Sequence, residues 1–152
     1  MFKKLIYVLF GLLLLLNFSC ESSSDSSAVP DQPLFDSVWS LDEIDRASGD
    51  DVDLDEDLNE YTIVISDDGT VAVVSDCNTC SAVATINTDT GSFVFADDVV
   101  CTDADCGPDS VDDTFKAALK LVNRYEINGE YLYLFYGNQG SRLEFETDYD
   151  ED

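Results

Sequence analysis

Histidine is absent from this 152-residue chain. A Ser-His-Asp or Cys-His catalytic arrangement is therefore excluded. Basic residues are scarce as well, 7 against 33 acids, for a formal charge of −26. A surface of that sign repels nucleic acid and anionic headgroups alike. A protein partner met through the general surface is expected to be basic, or bridged by cations. No glycine-rich phosphate loop follows a predicted strand. No apolar run reaches the roughly 20 residues that a membrane-spanning helix needs.

The longest apolar run is LIYVLFGLLLLL, residues 5–16, preceded by Lys3 and Lys4. A basic start and a short apolar centre beginning at Met1 make a secretory leader rather than a core helix. The run ends in LNFSC, residues 16–20. Ser19-Cys20 in that position resembles a bacterial lipobox, which makes Cys20 the expected lipidation site and the first residue of the mature chain. ESSSDSSAVPDQP, residues 21–33, is small and polar without periodicity, too poor in apolar surface to fold. It reads as a tether of at most roughly 45 Å. The expected layout is a leader over 1–19, the lipidated cysteine and tether over 20–35, one folded domain over 36–147, and an acidic tail over 148–152. Without the leader, five basic residues face 33 acids, a formal charge of −28. The expected location is the bacterial cell envelope, on an outer membrane, its periplasmic face or the cell surface.

Period-two patterning dominates from Val38 onward. The segments 38–44, 61–66, 70–75, 81–87, 92–96, 124–127, 130–136 and 141–146 read as strands, most of them joined as hairpins. Gly69 in SDDGT and the Asn128-Gly129 pair are hairpin signals. One segment breaks the rhythm. Pro108 and Ser110, with Asp113 three residues on, read as a capped helix start. Phe115, Ala118, Leu119 and Val122 then form one apolar helical face, and Asp112 and Asp113 suit the first turn. The fold expected is α+β: a small antiparallel barrel-like meander of about eight strands with one amphipathic helix packed across it. GDDVDLDEDLNE, residues 49–60, reads as a long loop.

Four cysteines stand in two pairs, Cys77 with Cys80 and Cys101 with Cys106. Zinc and redox roles are open to such spacing. Export favours oxidation, and CNTC leads into a strand rather than the helix N-terminus of a redox pair. Two disulfides are therefore expected, with three connectivities open. A local Cys77–Cys80 bridge would constrain little. Bridges between the pairs close loops of about 20–30 residues, each worth about 3–4 kcal/mol in the chain-entropy model. The nested pairing, Cys77–Cys106 with Cys80–Cys101, is favoured.

Other candidates are weaker. DVDLDED, residues 51–57, has acids at alternate positions, but the sixth-position glycine and twelfth-position glutamate of a calcium loop are missing. At most weak divalent cation binding is expected there. Lys116, Lys120 and Arg124, spaced i, i+4 and i+8, make a candidate docking stripe. Tyr131, Tyr133 and Tyr136 are candidates for a groove, against the commoner use of strand aromatics as core. No catalytic residue, cofactor or resident metal is expected, and paired carboxylates cannot be singled out among 33 acids.

Trp39-Ser40-Leu41 opens the first strand. Asp76-Cys77-Asn78 resembles a Gly-Cys-Asn signature with aspartate in place of glycine. Thr102-x-x-x-Cys106 resembles its T-x-x-x-C partner ahead of a helix. Phe115, Leu119 and Val122, then Tyr125 to Gly129, Leu132, Leu134 and Leu143-Glu144-Phe145 complete the order. In these the chain resembles the META domain family, the HslJ-like lipoproteins, over about Asp36 to Glu146. The resemblance implies a barrel-like fold with one helix across it, envelope residence, an association with stress tolerance and sometimes secretion, and no established enzymatic activity. The expected function is that of a non-enzymatic, lipid-anchored, protein-binding module. A lipocalin-like small-ligand carrier and an acidic inhibitor of a basic secreted enzyme are the alternatives.

Overall fold

A computed structural model describes residues 33–54 and 61–147. The leader, Cys20, most of the tether, residues 55–60 of the acidic loop and the acidic tail lie outside the described residues. Strands run β1 (Val38–Asp45), β2 (Val52–Asp53), β3 (Tyr61–Ile65), β4 (Thr70–Ser75), β5 (Asn78–Asn87), β6 (Ser92–Phe95) and β7 (Val100–Cys101). Helix α1 (Asp112–Leu119) follows, then β8 (Val122–Asn128), β9 (Tyr131–Tyr136) and β10 (Ser141–Glu146). Eight of the strands form an antiparallel sheet in the order β10-β9-β8-β6-β5-β4-β3-β1, and β10 pairs again with β1. The sheet thus closes into an eight-stranded barrel. Two short strands are extra: β2 on β1, and β7 beside β5 beyond β6.

Alternation decides which side chains enter. In YTIVI the odd positions Tyr61, Ile63 and Ile65 are buried and the even ones look outward. Trp39, Ile44, Phe93, Leu132, Leu134, Leu143 and Phe145 join them with no exposure at all. A small barrel is filled by its own side chains in this way. β1 departs from strict alternation. Its register against β10 shifts between Leu41 and Glu43, and this bulge turns Leu41 and Ile44 inward together while Glu43 stays out. The acidic loop is not wholly irregular: Val52 and Asp53 pair with Ile44 and Glu43.

Turns follow backbone chemistry. Gly69 has φ +86, and a Cβ there would stand 2.5 Å from the Ala84 carbonyl oxygen, so only glycine fits. In the β8–β9 hairpin Asn128 pairs with Tyr131, which makes Gly129 and Glu130 the two corner residues rather than Asn128-Gly129. Gly129 has φ +63 and Glu130 does not, the pattern of a II′ corner.

Helix and aromatics differ from expectation in detail. The helix ends at Leu119, and Val122 opens β8 instead of completing a helical face. Val122 is buried from the strand, so the apolar spacing that suggested a longer helix is shared between two elements. Ser110 is not the N-cap; Val111 holds that position without a side-chain cap. The Ser110 hydroxyl instead accepts from the Asp112 N–H at 3.2 Å. Phe115 packs edge-on against Tyr61 and Phe145, at 5.4 and 6.3 Å between centroids, which fixes the helix to the barrel. Tyr133 and Phe135 stand on the outer face of β9, because Leu132 and Leu134 take the inward positions.

The barrel has two unlike ends. Residues 96–121 cross the end where β4 turns into β5 and β9 into β10, since Ser75, Asn78 and Gly137 all bond to that segment. The chain enters at the other end, where Asp36 N–H donates to the Ile65 carbonyl and the buried Trp39 indole donates to the Leu34 carbonyl at 3.3 Å.

Candidate functional site

The four cysteines meet at the helix-covered end. Cys77 is bonded to Cys106 with 5.5 Å between Cα atoms, and Cys80 to Cys101 with 4.0 Å. Cys80 and Cys101 are direct cross-strand partners on β5 and β7. The two bridges are therefore nested and fasten the irregular run 96–111 along β5.

Between them lies Asn78, fully buried at the start of β5. Its Oδ1 accepts from the Thr102 hydroxyl and the Ala104 N–H, each at 2.8 Å. Its Nδ2 donates to the Ala104 carbonyl at 3.0 Å and to Asp112 Oδ2 at 2.9 Å. Both ends of the amide are thus spent, and the run of chain from Thr102 to Ala104 is held as a neighbouring strand would hold it. Thr102 also accepts from the Thr79 N–H at 3.0 Å. Asp76, just before the bridge, has φ +54. That left-handed backbone is the physical reason a glycine suits this position, and aspartate is among the few other residues that tolerate it.

Asp112 carries the network into the helix. Only 5% exposed, it accepts from Ser75 Oγ and Asn78 Nδ2, and pairs with Lys116 Nζ at 2.6 Å. A buried carboxylate without such partners is costly to the fold. The Lys116 pKa is raised, chiefly by that bond to Asp112. Tyr61 closes the corner from β3: its hydroxyl accepts from the Val111 N–H at 3.2 Å, and burial pushes its pKa up. Beside the network is an open pocket of about 320 Å³ lined by Asp103, Asp105, Cys106, Ser110, Asp112 and Asp113, among others. Among the described residues no group of three or more His, Cys, Asp or Glu is placed to hold a metal ion.

Asn78 and Thr102 stood in the sequence signature, but their joint role did not follow from spacing. Asp112 was readable only as a first-turn acid; nothing local marks it as buried. The stripe Lys116, Lys120 and Arg124 does not exist as one helical face. Lys116 is tied to Asp112, Lys120 caps the helix C-terminus, and Arg124 sits on β8 with its guanidinium 3.7 Å from the centre of the Phe135 ring. Tyr131 and Tyr133 do lie outward, but as a stacked pair on β9 with Arg142 4.9 Å from the Tyr133 centroid. Tyr136 is half-buried and donates to the Asp45 carbonyl at 3.3 Å. The three tyrosines therefore do not share one face of β9.

A family model, the META domain, matches residues 32–149. The chain belongs to the META domain family. Its barrel is similar to solved structures, all at low identity. The first is an NMR structure of a protein from Burkholderia xenovorans, 18% identical, with a TM-score of 0.62 over 76% of this chain and 83% of that one. Another is a crystal structure of a DUF4847-family protein from Bacteroides vulgatus ATCC 8482, 15% identical, TM-score 0.52, over 76% of this chain and 94% of that one. A further NMR structure shares 15% identity and a TM-score of 0.55 over 73% and 88% of the two chains. At these identities the likeness is one of fold. No curated protein matches the sequence. Within this META domain, the residues that carried the resemblance, from Cys77-Asn78 to Thr102 and Cys106, form one continuous structural network with Asp112.

Proposed function

We propose that this META domain is a lipid-anchored, non-catalytic binding module of a bacterial cell envelope. The observation that carries the reading is the saturation of the signature network. Asn78 uses both ends of its amide on the chain from Thr102 to Asp112, and Cys77, Cys80, Cys101 and Cys106 are consumed in bridges. These residues stabilise a platform and have no free nucleophile or base to offer a substrate. The barrel interior is filled by side chains such as Trp39, Phe93, Leu134 and Phe145, which occupy the space a carried ligand would need. Function then falls to the outer surface, and the occupant proposed for it is a protein partner. The charge of −28 after the leader selects basic partners, with on-rates that fall as salt rises.

The leader and Cys20 support the anchor. The described chain enters at the barrel end away from the disulfides, so the helix-covered end is free to face outward from the membrane. A stress-related role is in keeping with the family resemblance. The test is a Cys20→Ala variant followed by membrane fractionation. Transfer of the chain from the membrane pellet to the soluble fraction is expected. Unchanged retention in the pellet would show that Cys20 is not the anchor.

A further inference from the structure

The two bridges stand in unlike surroundings. Cys80 is 5% exposed and belongs to the barrel core, with Cys101 partly buried against it. Cys77 is exposed, Cys106 lines the open pocket at the helix-covered end, and neither contributes to the core. Apolar side chains shield the inner bridge, Cys80–Cys101. The outer bridge, Cys77–Cys106, is open to water.

The outer bridge holds a short piece of chain. Before Cys106 the chain is fixed at Ala104, whose N–H and carbonyl both bond Asn78. After it the chain is fixed at Ser110 and Val111, which both bond the Tyr61 hydroxyl. The run 105–109 between these points is exposed apart from half-buried Cys106. Its hydrogen bonds are local: the Gly107 N–H donates to Asp105 Oδ1 at 3.0 Å, and the Ser110 N–H to the Gly107 carbonyl at 3.4 Å. Among the described residues, Cys106 alone bonds this run to the barrel strands, through the bridge and through the Asn78 amide 3.3 Å from its Sγ.

We propose that Cys77–Cys106 is a site of reversible thiol–disulfide exchange, opened by external thiols while Cys80–Cys101 stays closed. Exchange depends on access to the attacked sulfur, and exposed Cys77 gives it. A thiolate of the reagent attacks Cys77 Sγ, the S–S bond breaks, and Cys106 leaves as a thiolate that takes up a proton. With a dithiol, the second thiol attacks the mixed disulfide, frees Cys77 and closes the reagent's own disulfide. The dithiol loses two electrons and two protons, and the bridge gains them. Opening releases the wall that Asp105, Cys106 and Gly107 give the pocket. Asn78 and the inner bridge keep Thr102, Ala104 and β7 in place, so the barrel stands. The surroundings also select the reagent. Asp103, Asp105, Asp112 and Asp113 line the pocket against the one ammonium of Lys116. An anionic thiol is repelled from this corner and a cationic thiol is drawn to it. The exchange needs neither the anchor nor the protein partner proposed above, so it stands or fails apart from them.

Graded dithiothreitol on the full chain in a nonionic detergent tests this, with free thiols alkylated at each step and located by peptide mass. Cys77 and Cys106 should take up label first, two equivalents per chain, with Cys80 and Cys101 unlabelled. At that stage the near-ultraviolet circular dichroism of buried Trp39 and the exchange protection of the Ala104 N–H should be unchanged. Compared per thiolate, 2-mercaptoethylamine should open the bridge about tenfold faster than 2-mercaptoethanesulfonate at low salt, and at a similar rate at about 0.5 M NaCl. A chain carrying Cys77→Ser and Cys106→Ser should keep the Trp39 signal and release no thiol at the dithiothreitol level that opens the outer bridge. The proposal is overturned if all four cysteines label together, if Cys80 and Cys101 label first, or if labelling of the first pair abolishes the Trp39 signal. It is equally overturned by a folded double variant whose inner bridge opens at that same dithiothreitol level. Equal rates for the two charged thiols at low salt would overturn the selection by charge.

Discussion

Asn78 is the residue on which the helix-covered end depends most. Asn78→Ala would strand the Thr102 hydroxyl, the Ala104 N–H and one side of Asp112 within a buried corner. Unsatisfied buried groups cost about 1–3 kcal/mol each, partly relieved by water. A loss of about 2–4 kcal/mol in denaturant unfolding with disulfides intact is expected; a loss below 0.5 kcal/mol would remove Asn78 from its central place. A second residue works against the fold. Glu43 lies directly across from Glu144 and from Asp53, and its pKa is raised by burial first and then by Asp51, Glu144, Asp53 and Asp45. A raised carboxylate pKa means the folded state prefers the protonated form. That contribution is complete below the ordinary value of 4.5 and is lost as pH rises through the folded value. Glu43→Gln is thus expected to stabilise at pH 7, by about 0.2–1 kcal/mol, with the gain fading near pH 4. A gain that persisted unchanged at pH 4 would assign it to packing instead of charge.

At the scale of elements, the seam between β6 and β8 is the thinnest join in the barrel. Its ladder consists of Ser92 opposite Arg124, together with the Tyr125 N–H donating to the Gly91 carbonyl at 2.8 Å. A Cβ on Gly91 would meet the Tyr125 oxygen at 2.8 Å, whereas one on Gly129 would meet nothing within 4 Å. Both glycines have positive φ, so alanine at either costs about 1–2 kcal/mol in backbone strain. Gly91→Ala should cost at least 1 kcal/mol more in urea unfolding, because it also spreads the seam; equal costs would mean the seam yields freely. The sequence announces the strands of this barrel because their inward residues alternate, as in YTIVI. It announces a helix from Phe115, Ala118 and Leu119. It does not announce where that helix stops, since Val122 keeps helical spacing while facing the core from a strand. Nor does it announce the bulge at Leu41–Glu43 or the pairing of Val52-Asp53, both of which arise from contacts with distant strands. The site is legible in the same measure. Cysteines and the Cys-Asn signature are visible as letters, but Asp112 becomes a network residue only when β4 brings Ser75 to it.

For the whole molecule, two nested bridges and a filled barrel fasten a domain whose surface charge opposes compactness. Each bridge closes a loop of 21 or 29 residues of sequence separation and is worth about 3–4 kcal/mol. Total stabilities of 5–15 kcal/mol are usual, so loss of the bridges would remove a large part of the domain's stability, and the proposed envelope location is one in which they would persist. Compartment, anchor and staples therefore form one claim. The intact mass of the protein extracted from membranes, alkylated before and after reduction, tests that claim most directly. The account predicts a chain beginning at Cys20, heavier by its acyl groups, that takes up no alkylating agent until it is reduced and then takes up four equivalents. An unacylated chain, or four thiols alkylated without reduction, would contradict it.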